Sequence, residues 1–146
     1  MLKKIVLLVI IILVTGCISN NDAGIYLTDK YYNSGEFITV NSNGLKDDEI
    51  FILYTYNNYC SLPIHCENIF KEFMEKYNID FLSMPYAEFR KTKYHDVVKY
   101  APSIIVIDNG KIISYLDANS KEDLEKYQDV KKFEKWLYNY ISFKRK

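Results

Sequence analysis

The central junction of the chain reads Asn58-Tyr59-Cys60-Ser61-Leu62-Pro63-Ile64-His65-Cys66. It follows the apolar run at residues 49–56, which is typical of a strand covered on both faces. It precedes an amphipathic run whose apolar residues recur every three or four positions, namely Ile69, Phe70, Phe73, Met74 and Tyr77. That spacing predicts a helix of about four turns, and Pro63 fits its first position. Two cysteines therefore lie where a strand passes into a helix.

The composition indicates one globular domain. The chain has 146 residues, of which 49% are hydrophobic and 26% charged, with 19 basic and 19 acidic side chains. This length supports one core but is short for two ordinary domains. Basic residues form no stripe apart from the last few positions, which argues against binding along a nucleic acid backbone. We expect a monomer that does not bind nucleic acid.

The N-terminal segment predicts export and membrane attachment. Two lysines precede the apolar run at residues 5–14, which is too short to span a bilayer permanently. The run ends at Val14-Thr15-Gly16-Cys17, which resembles the lipobox of bacterial lipoproteins. The resemblance implies a signal peptide over residues 1–16, a palmitate-bearing Cys17 and a lipid-anchored domain on the extracytoplasmic face of the membrane. An uncleaved anchor helix is the alternative.

Beyond the anchor, a polar, turn-rich segment predicts a tether, so that we assign residues 17–35 to the lipidated cysteine and tether and residues 36–146 to the domain. Disulfides persist outside the cytoplasm. Because Cys17 is assigned to lipid, Cys60 and Cys66 remain as a pair.

The pattern downstream alternates strands and helices. Strands are predicted at residues 36–40, 49–56, 79–84, 103–107 and 111–116, with a hairpin at Asn109-Gly110. A strand, helix, strand order implies a parallel pair. A second helical segment is predicted at residues 87–100, with its buried residues at Phe89, Tyr94, Val97 and Val98. A final amphipathic helix is predicted from Val130 to Ile141, with Lys144-Arg145-Lys146 at its C-terminal end.

This order of elements resembles thioredoxin over roughly residues 36–141. The matching features are the central strand at residues 50–56, Cys60 at the top of the next helix, Ala101-Pro102 at the family's cis-proline, the Asn109-Gly110 hairpin and the helix around Trp136. The resemblance implies an α/β, thioredoxin-like single domain with a central mixed sheet flanked by helices. Within that group the chain is most similar to the bacteriocin transport accessory proteins.

The resemblance implies that Cys60 is the reactive thiol and that Pro102 packs against the cysteine pair. A cysteine at a helix N-terminus lies beside unpaired amides, which favour the thiolate. The family spacing is Cys-x-x-Cys, whereas here five residues separate Cys60 from Cys66. An unbroken helix would set the two about 9 Å apart along its axis, too far for a disulfide, whereas a helix starting at Pro63 allows closure. We predict a reversible disulfide that exchanges with exported thiol or disulfide proteins.

Other functions remain open at this junction. A structural disulfide needs no activity, and the domain then serves as an interaction module. Cys60, His65 and Cys66 also form a ligand set suited to copper(I), as in thioredoxin-like copper chaperones. Tyr54 stands where many thioredoxins carry a buried acid, which removes a proton acceptor from that position. Glu67 is interpreted as a helix cap rather than a proton relay, and His95 lies in no motif.

Overall fold

The computed structural model describes residues 24–58 and 64–143. Within these ranges the strands are β1 (Phe37–Thr39), β2 (Ile50–Tyr56), β3 (Phe81–Pro85), β4 (Ser103–Asp108) and β5 (Lys111–Tyr115). The α-helices there are α1 (Cys66–Tyr77), α2 (Tyr86–Phe89) and α3 (Val130–Leu137). Several predictions concern residues outside the described ranges: the signal peptide, Cys17, Cys60, Pro63 and the basic residues 144–146.

The described strands form a mixed sheet in the order β1-β3-β2-β4-β5. β3 lies parallel to β1 and to β2, while β4 runs antiparallel to β2 and to β5. Residues 51–55 of β2 are all buried, since consecutive side chains point to opposite faces and both faces are covered. The predicted central strand, parallel pair and mixed sheet are confirmed.

The turn between β4 and β5 has the conformation that its sequence predicts. Asn109 and Gly110 have φ values of 46° and 72°. A two-residue loop with both residues at positive φ matches the right-handed twist of paired strands, and Asn-Gly is its preferred sequence. The hairpin is therefore determined locally, by the backbone preferences of two residues.

Helices α1 and α3 pack together through aromatic rings. The Phe133 ring lies 4.9 Å from that of Phe70 and 5.2 Å from that of Phe73, measured between centroids. Phe81 of β3 contacts the same cluster. Each fully buried ring of this kind contributes about 1.5–3 kcal/mol relative to an exposed one, so this layer is a main source of stability.

The predicted second helix is broken. The chain forms α2, then a 3-10 helix at Lys93–Asp96, with Thr92 extended between them. The Thr92 hydroxyl donates to the Phe89 carbonyl at 2.8 Å, a local bond that competes with continued helix. The break shifts the helical phase, so Val98 is buried whereas Val97 is 53% exposed. The prediction that Val97 is buried was wrong; those for Phe89, Tyr94 and Val98 are confirmed.

Helix α1 begins at Cys66, not at Pro63 as predicted. In a helix starting at Pro63, the Ile64 carbonyl would accept from the amide of Asn68. Instead the Asn68 amide donates to the His65 carbonyl at 3.0 Å, and the Ile64 carbonyl accepts from the Gln128 side chain at 2.9 Å. A contact from a distant segment therefore delays the helix start. At the other end of the domain, α3 ends at Leu137, before the predicted limit of Ile141.

The folded region begins earlier than the predicted boundary at residue 36. Leu27 and Tyr31 are 2% and 3% exposed and belong to the core. The Thr28 amide donates to the Ile50 carbonyl at 2.9 Å, which joins this segment to β2. Part of it is the 3-10 helix Asp29–Tyr31, too short to show a helical period in the sequence.

Buried Asp80 anchors the segment before β1. Its Oδ1 accepts from the backbone amides of Ser34, Gly35 and Glu36 at 3.1, 2.8 and 2.9 Å. Gly35 has φ +80°, and a Cβ there would lie 2.8 Å from the Met74 carbonyl oxygen, so glycine is required. Burial acts to raise the pKa of Asp80, but these hydrogen bonds and one from Asn33 outweigh it and hold the pKa below its usual value.

We expect Asp80→Asn to lower the free energy of unfolding by roughly 2 kcal/mol at neutral pH, because hydrogen bonds to a buried charge are lost. The folded carboxyl has a lower pKa than the unfolded one, at about 3.9. Its contribution is therefore complete above the unfolded value and is lost as the pH falls through the folded one. Denaturant unfolding at several pH values measures both effects.

The matched control for this prediction is Asp48→Asn, which changes an exposed carboxylate. It should leave the free energy of unfolding within about 0.5 kcal/mol of the parent. Equal destabilisation by the two substitutions, or an Asp80→Asn effect that persists unchanged at pH values below both pKa values, would contradict the anchoring role.

Candidate functional site

Cys66 is the first residue of α1, and its side chain is buried, with 1% exposure. The Tyr54 hydroxyl lies 3.6 Å from its Sγ. Strand alternation places Tyr54 on the α1 face of β2, where its ring packs edge-on against Phe70 at 5.3 Å and stacks on Tyr56 at 5.6 Å. The ring contacts therefore fix the hydroxyl beside the sulfur.

Tyr54 also donates to Oε1 of Glu67 at 3.3 Å. This contradicts the interpretation of Glu67 as a helix cap, since its carboxylate turns to the tyrosine and the N-cap, His65, makes no side-chain capping bond. Burial, followed by the proximity of Cys66 and Glu67, raises the pKa of Tyr54 far above its ordinary value. The phenol thus stays protonated and bridges a thiol and a carboxylate.

The Ala101-Pro102 peptide bond is cis, as the thioredoxin resemblance implies. Pro102 is buried. The carbonyl of Ala101 accepts from the Asn57 side chain at 3.1 Å, and Asn57 directly follows β2. This bond holds the proline loop against the end of the central strand.

Tyr127, at the end of the 3-10 helix Leu124–Tyr127, supports the same proline from beneath the surface. Its hydroxyl lies 2.9 Å from the Pro102 carbonyl and 2.8 Å from the Leu116 carbonyl, so one proton is shared between two acceptors. Burial raises the pKa of Tyr127 well above its ordinary value; a bond with Ser103 opposes the rise and nearby Cys66 adds to it. The phenol therefore remains a donor.

Gln128 clamps the backbone just before α1. Its Oε1 accepts from the Ile64 amide at 3.1 Å, and its Nε2 donates to the Ile64 carbonyl at 2.9 Å. One side-chain amide thus satisfies both backbone groups of a residue that is 64 positions away in sequence. This residue, together with Tyr127, connects one short segment to both Ile64 and Pro102.

The structure thus gathers three of the regions that the sequence predicted to meet. Side-chain bonds from Asn57, Tyr127 and Gln128 tie the end of β2, the Pro102 loop and the start of α1 together. Cys66 and Pro102 lie in this frame, while Cys60 lies outside the described residues. The sequence did not predict these three supporting residues, because each is a single polar side chain in a loop or turn with no periodic signal.

The predicted copper ligands are only partly described. His65 is exposed whereas Cys66 is buried, and Cys60 lies outside the described ranges. Among the residues that the structure describes, no group of three or more His, Cys, Asp or Glu side chains is arranged to hold a metal ion. His95 instead lies with Nε2 3.3 Å from the Tyr86 hydroxyl. Because that hydroxyl donates to the Lys99 carbonyl, the His95 nitrogen is the donor in this pair.

We expect Gln128→Glu to loosen the start of α1. Glutamate retains an acceptor for the Ile64 amide but loses the donor to the Ile64 carbonyl, at a cost of roughly 1 kcal/mol. Local opening should then make alkylation of Cys66 by iodoacetamide about fivefold faster, as followed by mass spectrometry. Glu122→Gln, an exposed change in the same segment, should leave the rate unchanged. An unchanged rate in Gln128→Glu would refute the clamp.

Comparison with known proteins supports the fold. No protein-family model matches the sequence, and no curated protein matches it. Among solved structures, a mutant thioredoxin from Halobacterium salinarum NRC-1 superposes with a TM-score of 0.56 at 12% identity, covering 77% of this chain and 97% of that one. Thioredoxin from Schistosoma mansoni matches at 21% identity over 69% of this chain and 98% of its own, with a TM-score of 0.46. Together with the sheet order, the first similarity shows that the chain has a thioredoxin-like fold.

Proposed function

We propose that this protein exchanges disulfides with exported thiol or disulfide proteins through Cys60 and Cys66. The observation that carries the proposal is the placement of Cys66: a buried sulfur at the N-terminus of α1, in a thioredoxin-like fold whose proline loop is bonded to the same frame. The positive end of a helix dipole favours negative charge at such a position. The fold and the sulfur's surroundings both suit thiol chemistry.

The two cysteines have different roles in this proposal. A sulfur that is 1% exposed is shielded from the disulfide of a partner protein, so Cys66 acts second, as the resolving thiol. Cys60 makes the first attack and forms the mixed disulfide. Pro102 lies at the frame that receives the partner, as the thioredoxin resemblance implies. The thioredoxin resemblance assigns Cys60 this role.

The wide spacing of the cysteines is compatible with this chemistry. An axial separation of about 9 Å applies only if every residue between Cys60 and Cys66 is helical. Ile64 and His65 are not helical, since α1 begins at Cys66. The separation expected for an unbroken helix therefore does not apply here, which supports a closable pair.

The reduction potential of the Cys60 and Cys66 pair tests the proposal. We expect a value between about −120 and −270 mV in a glutathione buffer, within the range of exchanging thioredoxin-fold proteins. In the same experiment, Cys66→Ser should accumulate a mixed disulfide at Cys60, because the resolving thiol is gone. A potential well below about −300 mV would identify a structural disulfide instead. Cys60→Ser serves as the matched control and should trap nothing.

We further propose that the domain is a lipoprotein, anchored through lipid on Cys17 at the extracytoplasmic face of the membrane, and related to the bacteriocin transport accessory proteins. The support is the lipobox-like stretch Val14-Thr15-Gly16-Cys17 and the apolar run before it. Among the residues that the structure describes, none forms a helix long and apolar enough to cross a membrane. Acyl chains contribute about 0.8 kcal/mol per buried methylene, which is sufficient for durable attachment when more than one chain is present.

Labelling with radioactive palmitate tests the anchor. We expect the full-length chain to incorporate the label in bacterial cells and to fractionate with membranes. Cys17→Ser should abolish incorporation, whereas Cys60→Ser should not, because only the cysteine of the lipobox is a substrate for acylation. Label retained in Cys17→Ser, or label lost equally in both variants, would exclude Cys17 as the lipidation site.

A further inference from the structure

The Tyr54 hydroxyl is the middle member of a hydrogen-bonded chain. It lies 3.6 Å from the Cys66 sulfur and 3.3 Å from Oε1 of Glu67. A phenol has one proton to donate and lone pairs to accept with, a thiol has one proton, and an ionised carboxylate only accepts. Tyr54 donates to Glu67. The thiol proton of Cys66 therefore points at the tyrosine oxygen, and the chain has a direction from sulfur to carboxylate.

We propose that Tyr54 passes the proton of the Cys66 thiol to Glu67 when Cys66 resolves a mixed disulfide. This inference rests on the proposed exchange function. Tyr54 touches the reacting sulfur and is a catalytic residue, whereas Glu67 acts through Tyr54 and is a positioning residue. The buried sulfur otherwise has no direct contact with solvent to take its proton, since the side chain is 1% exposed.

The Cys66 S–H bond breaks, its proton moves to the Tyr54 oxygen, and the Tyr54 proton moves to the Glu67 carboxylate. The electron pair on the Cys66 sulfur forms a bond to the Cys60 sulfur. The bond between Cys60 and the partner sulfur breaks, and its electron pair leaves with the partner as a thiolate, which takes a proton from water. In this step the Cys66 sulfur is oxidised, the partner sulfur is reduced, and the Cys60 sulfur keeps its oxidation state. Over both steps the two cysteines are oxidised and the partner disulfide is reduced.

The hydrogen bonds before and after the proton transfer can form without movement of the heavy atoms. Before it, the thiol donates to Tyr54 and Tyr54 donates to Glu67. After it, Tyr54 donates to the thiolate and protonated Glu67 donates to Tyr54. Glu67 is exposed and returns its proton to solvent. Burial and the two neighbours raise the pKa of Tyr54, so the phenol transfers a proton without persisting as a phenolate.

Titratable groups of several elements lie near the sulfur or near Tyr54. β2 contributes Tyr54, on whose ring that of Tyr56 stacks, and α1 contributes Cys66 and Glu67. The 3-10 helix Leu124–Tyr127 contributes Tyr127, whose raised pKa reflects burial first and the nearby sulfur among its lesser causes. Glu67 is the carboxylate that the Tyr54 hydroxyl reaches.

The test measures the resolving step directly. The full-length chain carries Cys17→Ser, so that Cys60 and Cys66 are its two thiols, and is mixed with dithiobis(nitrobenzoate) in detergent. Attack by Cys60 releases one coloured thiolate, and attack by Cys66 on the resulting mixed disulfide releases the second. We expect Tyr54→Phe and Glu67→Gln each to slow the second release at least about tenfold at neutral pH, without slowing the first.

Two further readouts separate a relay from a structural effect. The second release in Tyr54→Phe should rise more steeply with pH than that of the parent, since hydroxide replaces the relay. The variant with both substitutions should be no slower than either alone, because the two groups form one chain. Tyr56→Phe, which removes a hydroxyl from the stacked ring, should match the parent.

The outcomes distinguish the two proposals. A second release that is unchanged in Tyr54→Phe and Glu67→Gln overturns the relay and leaves exchange intact. A parent protein that releases one equivalent and never the second overturns the exchange function itself. Equal slowing of both releases, with the same pH profile as the parent, identifies a structural effect and also overturns the relay. Tyr54→Phe keeps the ring contacts to Phe70 and Tyr56, and thermal unfolding verifies that it folds.

Discussion

Burial of β2 on both faces is the constraint from which the rest of the architecture follows. A strand with five consecutive buried residues must have a covering layer on each side and a hydrogen-bonded neighbour at each edge. β3 and β4 provide the edges, and α1 with α3 provides one layer. The site is a consequence, because strand alternation sends Tyr54 into the α1 layer and chain direction brings Asn57 to the proline loop.

Polar contacts at the ends of helices and strands then determine where these elements begin and end, which apolar packing alone does not. Hydrophobic contacts are not directional, so the α1 layer by itself does not determine the residue at which the helix begins. Gln128 does so, since it occupies the Ile64 carbonyl that a longer helix would use. The helix begins at Cys66, and the sulfur of this residue lies beside Tyr54. One side-chain amide thereby positions the thiol.

The buried hydroxyls of the site share a physical property. Tyr54 and Tyr127 both have raised pKa values, chiefly because burial disfavours a phenolate, so both remain donors with a fixed partner. Tyr127 donates to the carbonyls of Pro102 and Leu116 and has a structural role. Tyr54 hydrogen-bonds to a thiol and a carboxylate, so it is the tyrosine suited to proton transfer. The chemistry of the neighbours, not that of the tyrosines, separates the two roles.

The sequence by itself determined the elements whose signals are local or periodic: the apolar run of β2, the amphipathic faces of α1 and α3, and the Asn109-Gly110 turn, whose backbone preference needs no distant partner. It also indicated Cys66 and the cis-proline by resemblance. Only the tertiary structure decided the start of α1, the exposure of Val97, and the meeting of Tyr54, Cys66 and Glu67. The start of α1 depends on the bond from Gln128, which is 64 positions from Ile64, and the exposure of Val97 depends on the local bond of Thr92. Single polar bonds of this kind leave no periodic trace in a sequence.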